Sequence, residues 1–183
     1  SLWFSQLSGS SLPALESPNG HIKLGGNKAT GIAAVAKSTV GPNKVNVINK
    51  GTIETTSGEK TTGIYGKGAN IENVTGAKIN IGAKGVGIYT TNDNSLEDTT
   101  LNNAGEINLI GDEAAGIVAV KAKTNQDFIV GKISGTKDKL VGAYFKDSQA
   151  VTKVKDFNIS LGTNAKGLVF NAVSYTHLTL PTK

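Results

Sequence analysis

The chain is predicted to be all-β: a right-handed parallel β-helix, or solenoid, of about six coils of ~26 residues with three short strands in each. Three observations carry that expectation. First, one phrase recurs, in which Gly/Ala-x-Ile-x-Ile/Leu is followed after a turn by Gly-Ile-Tyr. It appears at Gly51, Ile53, Gly58, Gly63, Ile64 and Tyr65, and again at Ala77, Ile79, Ile81, Gly82, Gly87, Ile88 and Tyr89. A third copy holds Gly105, Ile107, Leu109, Gly111, Gly116 and Ile117, and weaker ones begin near Ile22, Ile133 and Ile159. One such unit cannot bury its apolar residues alone, so a repeat of this kind implies stacked turns. Second, the leading isoleucines are spaced by 31, 26, 28, 26 and 26 residues, whereas Gly31, Gly63, Gly87, Gly116, Gly142 and Gly167 follow them by only 8 to 10. Length variation is thus confined to one connection, as in a scaffold with fixed strands and elastic loops. Third, runs such as Ile79-Asn80-Ile81 and Ile107-Asn108-Leu109 alternate with period two, the mark of a strand with one buried face.

Taken in order, residues 1–20 hold the single tryptophan, Trp3, in a Ser/Leu/Pro-rich stretch. There Leu2, Phe4, Leu7 and Leu12 fit neither a clean strand nor a capped helix. This reads as an irregular N-terminal segment. Residues 21–171 form the β-helix. In each coil the alternating run is one strand, and the short run typified by Gly63-Ile64-Tyr65-Gly66 is another. A third apolar point precedes most units, at Val47/Ile48, Val74, Leu101, Phe128 and Val154. Parallel stacking sets equivalent strands ~4.8 Å apart and aligns like side chains into ladders. Ile53, Ile79, Ile107, Ile133 and Ile159 make one inward ladder. Ile64, Ile88 and Ile117, with Ile32, Ala143 and Leu168, make the other. Residues 172–183 share nothing with the repeat. The run from Val173 to Thr182 resembles the read-through translation of a transposase adapter from sequencing libraries, which implies a non-native tail and sets His177 aside.

Composition narrows the alternatives. Helical folds are disfavoured because glycine, 23 residues of 183, interrupts every candidate segment. A collagen-like chain would need a Gly-x-y period, which is missing. The chain has no cysteine, so disulfides and thiolate metal sites are excluded, and with His21 as the one remaining histidine zinc and histidine-based nucleophilic chemistry have no material. The net charge is +5, and all 19 basic residues are lysines scattered along the coils. Nucleic-acid readers favour clustered arginine, so a solvated outer face is expected and no nucleic-acid partner. The absence of methionine, including a first one, reads as an interior fragment of a longer chain.

The candidate chemistry is sparse. Gly-x4-Gly pairs occur at Gly26/Gly31, Gly58/Gly63, Gly82/Gly87, Gly111/Gly116 and Gly162/Gly167. A phosphate-binding loop needs Lys-Ser/Thr after the second glycine, and here Ile or Leu follows. The pairs read instead as turns in which glycine takes positive φ. Tyr65, Tyr89 and Tyr144 should face outward, the first two stacked on adjacent coils, and Asn80 and Asn108 should form an amide ladder. Acidic residues gather at Asp93, Glu97 and Asp98 and at Asp112-Glu113 without the converging cluster that a β-helix enzyme or a calcium site requires. Asn73-Val74-Thr75 and Asn158-Ile159-Ser160 match the glycosylation acceptor pattern. No cofactor, metal ligand or catalytic residue is expected.

Runs such as Asn102-Asn103-Ala104-Gly105-Glu106-Ile107 and Gly85-Val86-Gly87-Ile88-Tyr89 resemble the passenger domains of bacterial autotransporters, most of all the large adhesin-like ones of low-GC Gram-negative anaerobes. The resemblance covers about residues 21–171. It implies a cell-surface adhesin or structural stalk, tethered to the outer membrane through a C-terminal β-barrel that this fragment lacks. It also implies host or bacterial surface proteins or glycans as partners. A polysaccharide-acting β-helix enzyme and a passive spacer for a distal effector are the alternatives it leaves open.

Overall fold

The computed structural model describes residues 2–5, 15–36, 45–92, 98–124, 126–149 and 153–171. These hold fifteen strands and no α-helix. Numbered in chain order, the first sheet contains β1 (Leu2–Ser5), β3 (Thr30–Val35), β5 (Thr62–Lys67), β8 (Val86–Thr91), β11 (Ala115–Val120), β13 (Val141–Lys146) and β15 (Lys166–Asn171), stacked in that order. The second contains β2 (Leu15–Gly25), β4 (Val45–Ser57), β6 (Ala69–Asn73), β7 (Lys78–Ile81), β9 (Leu101–Asn103), β10 (Glu106–Leu109), β12 (Phe128–Gly135) and β14 (Val154–Leu161). Every pairing is parallel, and equivalent strands recur ~26 residues apart through about five turns, close to the six expected.

Each coil contributes one strand to the first sheet and two strand runs to the second. Those two runs are separate in some coils, as β6 and β7 or β9 and β10, and fused across a bend in β4, β12 and β14. The long β4 shows the arrangement directly. Its first half pairs with β6, from Val45↔Ala69 to Asn49↔Asn73, and its second half pairs with β7 at Ile53↔Ile79. Residues 1–20, expected to be irregular, carry β1 and the beginning of β2. β1 lies in register on β3, and β2 runs through residue 20 and pairs with β4.

The ladders are the core. Ile53, Ile79, Ile107, Ile133 and Ile159 follow one another in register through β4, β7, β10, β12 and β14. The first four are 0–1% exposed, while Ile159 on the last coil is half-buried. Ile32, Ile64, Ile88, Ile117, Ala143 and Leu168 align in the same way, with Ile64, Ile88 and Ile117 at 0%. The third ladder corrects one expectation. Ile71, not Val74, pairs with Val47 below and Leu101 above. Val74 falls past the end of β6, at the bend, where its side chain leaves the core.

The glycine turns need a second correction. Only Gly26 and Gly58 among the first glycines of the pairs have positive φ; in the recurring turn the left-handed position is held by Lys28, Lys60, Lys84, Glu113, Lys139 and Asn164. The amides of Lys28, Lys60, Lys84, Glu113 and Lys139 donate to carbonyls of the next coil, as from Lys84 to Asp112 at 2.8 Å and from Glu113 to Asp138 at 2.9 Å. The second glycines are required for space. A Cβ on Gly63 would lie 2.5 Å from the Gly87 carbonyl oxygen and 2.8 Å from Ile79 Cγ2, and Gly87 repeats this against Gly116 and Ile107.

Candidate functional site

Outward positions of the first sheet form a continuous column. Tyr65 pairs in register with Tyr89, Tyr89 with Val118, Val118 with Tyr144, and Tyr144 with Val169. The rings of Tyr65 and Tyr89 stack at 5.6 Å with 22° between planes, as the sequence predicts. Burial and the neighbouring Tyr65 phenol push the Tyr89 hydroxyl above its ordinary pKa. Tyr144 Oη accepts from Asn171 Nδ2 at 3.1 Å. A neighbouring column holds Val86, Ala115 and Val141 between Thr62 and Lys166, and the column on the other side holds Lys67, Thr91, Val120 and Lys146, so a half-buried apolar strip runs along a face that is otherwise mixed.

On the second sheet the outward column is polar. Asn108 Nδ2 donates to Asn80 Oδ1 at 2.8 Å, and Ser134 Oγ donates to Asn108 Oδ1 at 3.1 Å. The amide ladder foreseen at Asn80 and Asn108 is therefore present, extended by one coil. The same face holds an open groove of about 390 Å³ lined by Asn108, Ile110, Ser134, Lys137 and Ser160. Toward the opposite end of this sheet, away from the groove, His21 Nε2 meets Glu54 Oε1 at 2.8 Å.

A second amide ladder was not legible as such. Asn49, Asn73 and Asn103 are 0–1% exposed and lie in register where the chain bends between the two runs of the second sheet. Asn49 Nδ2 donates to Asn73 Oδ1 and Asn73 Nδ2 to Asn103 Oδ1, both at 2.8 Å, and Asn103 Nδ2 ends on the Val130 carbonyl at 2.8 Å. One coil on, the pairing of Ile129 with Asn102 sets buried Val130 above Asn103, and Gly131 next to it takes a φ of 65° where a Cβ would strike the Asn103 carbonyl. The available signal was the spacing Asn49-Lys50-Gly51 and Asn103-Ala104-Gly105, an amide two residues before a glycine. With both its amide atoms bonded inside the rod, Asn73 is closed to a glycosylating enzyme, whereas Asn158 of the other acceptor triplet is exposed.

The acids are distributed over coil-to-coil ion pairs. Glu59 meets Lys84 at 2.9 Å, Glu106 meets Lys132 at 2.6 Å, and Asp127 meets Lys155 at 2.9 Å. The hydrogen bond and charge of the lysine hold Glu59 and Glu106 below the usual carboxylate range. Of the loop acids, Asp93 and Glu97 lie outside the described residues, and Asp98 pairs with Lys123 at 3.7 Å. Asp112 Oδ1 accepts from the Asp138 amide at 3.0 Å, so its carboxylate braces the next turn. Among the described residues, no three His, Cys, Asp or Glu side chains come together. Residues 172–183, with His177, lie outside the described residues. Comparison with protein-family models, curated proteins and solved structures found no match to this chain.

Proposed function

We propose that the chain is a segment of a bacterial cell-surface autotransporter passenger. In this reading it is a β-solenoid rod that serves as an adhesin or structural stalk and presents its outer faces to host or bacterial surface proteins or glycans. The observation that supports this reading is the column of Tyr65, Tyr89, Val118, Tyr144 and Val169 along one sheet face. Stacked aromatic and β-branched pairs steady the sheet by themselves, and a contiguous half-buried apolar strip on an outer face also offers the kind of surface found at contact sites. Tyrosine is suited to the task, since its ring offers rigid contact area and its hydroxyl a hydrogen bond. The polysaccharide-enzyme alternative requires two carboxylates facing one another across a scissile bond. Glu59, Glu106 and Asp127 instead face lysines of neighbouring coils, and Glu54 faces His21.

The test is binding of the purified chain to immobilised glycans and to cultured host and bacterial cells, with Tyr65→Ser/Tyr89→Ser beside the wild type. Binding that falls at least tenfold in the variant, with an unchanged circular dichroism spectrum, supports the reading. Equal binding by both proteins would refute the assignment of this face, and absence of binding to every surface would favour a passive spacer.

A further inference from the structure

The first runs of the second sheet carry a groove on the flank of the rod. It lies on β4, β6 and β9, and each of these has a paired strand on both sides: β4 between β2 and β6, β6 between β4 and β9, and β9 between β6 and β12. The groove has a volume of about 240 Å³, and Asn46, Ile48, Asn70, Glu72, Thr100 and Asn102 line it. Parallel register explains why these residues meet. Asn46 and Asn70 share one outward column, and Ile48, Glu72, Asn102 and Ile129 follow one another in the column beside it.

Glu72 stands out among the half-buried carboxylates. Glu54, Glu59, Asp98 and Glu106 meet His21, Lys84, Lys123 and Lys132 in turn, and Asp138 accepts from Asn164 at 2.8 Å. Glu72 is covered to a similar degree, yet among the described residues nothing donates to it or pairs with it. Asn102, its register partner on the next coil, is likewise half-buried and without a side-chain hydrogen bond among the described residues. Asn80 and Asn108 stand in the same relation on the other run of this sheet, and they bond at 2.8 Å. A charge drawn partly out of water without a counter-ion costs stability, so packing of the rod does not account for Glu72. Asn70 holds the rest of the site in place. Its Nδ2 donates to Asn46 Oδ1 at 3.0 Å, and its Oδ1 accepts from the Thr100 amide at 3.2 Å. With its oxygen engaged, Asn46 keeps Nδ2 as a donor.

The groove thus offers acceptors at the Glu72 carboxylate and Asn102 Oδ1, donors at Asn46 Nδ2 and Asn102 Nδ2, and the apolar Ile48 beside them. An ammonium only donates, and a carboxylate or sulfate only accepts, so neither engages the whole set, and an anion is repelled by Glu72 as well. A hydroxyl does both. A pyranose carries several hydroxyls around a ring whose C–H face is apolar, which suits a few polar groups converging next to an isoleucine. An extended peptide gains its affinity from an open strand edge, and β4, β6 and β9 are already paired on both sides. We infer that this groove binds a neutral saccharide. Glu72 accepts from its hydroxyls, Asn46 and Asn102 donate to its oxygens, and Ile48 packs on the ring. This site goes beyond the contact strip on the first sheet, with which it shares no residue, and either stands without the other.

The test is an NMR titration of the isotope-labelled full chain with the methyl glycosides of glucose, galactose and mannose. Glucuronate, glucosamine and a blocked trialanine peptide are titrated alongside. The side-chain amide signals of Asn46 and Asn102 should move saturably with at least one of the glycosides, while those of Asn80 and Asn108 stay in place. Glu72→Ala should weaken that binding by about tenfold or more, the loss expected for a hydrogen bond to a charged group. Tyr65→Ser/Tyr89→Ser should bind the glycoside as the wild type does, so failure of the first-sheet strip and failure of this groove are read separately. A second measurement needs no sugar. Glu72→Gln should melt no lower than the wild type, since the carboxylate has no partner to lose. The assignment is overturned if no glycoside moves the Asn46 and Asn102 amides, or if glucuronate, glucosamine or the peptide moves them as far. It is overturned too if Glu72→Ala binds as tightly as the wild type, or if Glu72→Gln melts lower, because Glu72 would then serve the fold.

Discussion

Replacing Asn73 with alanine should cost the rod about 3 kcal/mol, although the residue is polar and sits at a bend. Its side chain donates to Asn103 Oδ1 and accepts from Asn49 Nδ2, each at 2.8 Å, at a position with no solvent exposure. Removing it leaves the Asn49 amide hydrogen and the Asn103 carbonyl oxygen buried where water cannot reach them, at roughly 1–3 kcal/mol each and so about 2–6 kcal/mol together. Asn49 Nδ2 keeps a long bond to the Gly51 carbonyl at 3.3 Å, which places the total toward the lower part of that range. With a urea dependence of roughly 2 kcal/mol per molar, the unfolding midpoint should fall by about 1.5 M. Asn108→Ala removes a similar pair of bonds on the outer face, where water replaces them, and should cost below about 1 kcal/mol. Asn73→Asp separates the acceptor from the donor half of the site. One aspartate oxygen still accepts from Asn49, but the other faces Asn103 Oδ1 and must carry a proton. Its folded-state pKa is therefore raised above the unfolded value of roughly 3.9, the folded state binds more protons, and stability is greatest in acid and falls as pH rises. Urea titrations followed by circular dichroism at several pH values measure all three variants. Equal midpoints for Asn73→Ala and Asn108→Ala, or an Asn73→Asp variant that gains stability with rising pH, would refute the internal ladder.

Three further outcomes are expected. Ile107→Asp places a carboxylate on the axis between Ile79 and Ile133, at 0% exposure, and should abolish the β-rich circular dichroism spectrum; an unchanged spectrum would disprove the inward ladder. Gly63→Ala should destabilise by about 3 kcal/mol or more, because its Cβ would meet the Gly87 backbone, whereas Gly167→Ala, with open space above it, should stay within about 0.5 kcal/mol in thermal melts. Lys84→Ala should raise the Glu59 pKa back toward the ordinary carboxylate value in an NMR titration. Since Lys84 depresses that pKa in the folded state, the pair's contribution is present at neutral pH and is lost as pH falls through the Glu59 titration; it should also weaken with added salt.

Much of the architecture was written in local pattern. Alternation at Ile79-Asn80-Ile81 fixes which side chains point inward, because successive residues of a strand face opposite ways, and the return of that pattern every ~26 residues fixes what each one stacks upon. The two isoleucine ladders, the Tyr65–Tyr89 stack and the Asn80–Asn108 bond all follow from those two rules. What the tertiary structure alone decided lies at the bends. Asn49, Asn73 and Asn103 look like ordinary turn residues in the sequence. The unequal connections between them bring them into one buried column, across separations of 24 and 30 residues that no single period connects. The second glycines looked like conformational hinges, yet they are small because a neighbouring coil's backbone lies against them. Likewise Ile71 displaced Val74 from the third ladder, since the exact residue at which the strand ends determines which side chain still faces the core. A strand's inside and outside are set by its own alternation, whereas close approach and buried pairing depend on where separate coils come to rest against each other.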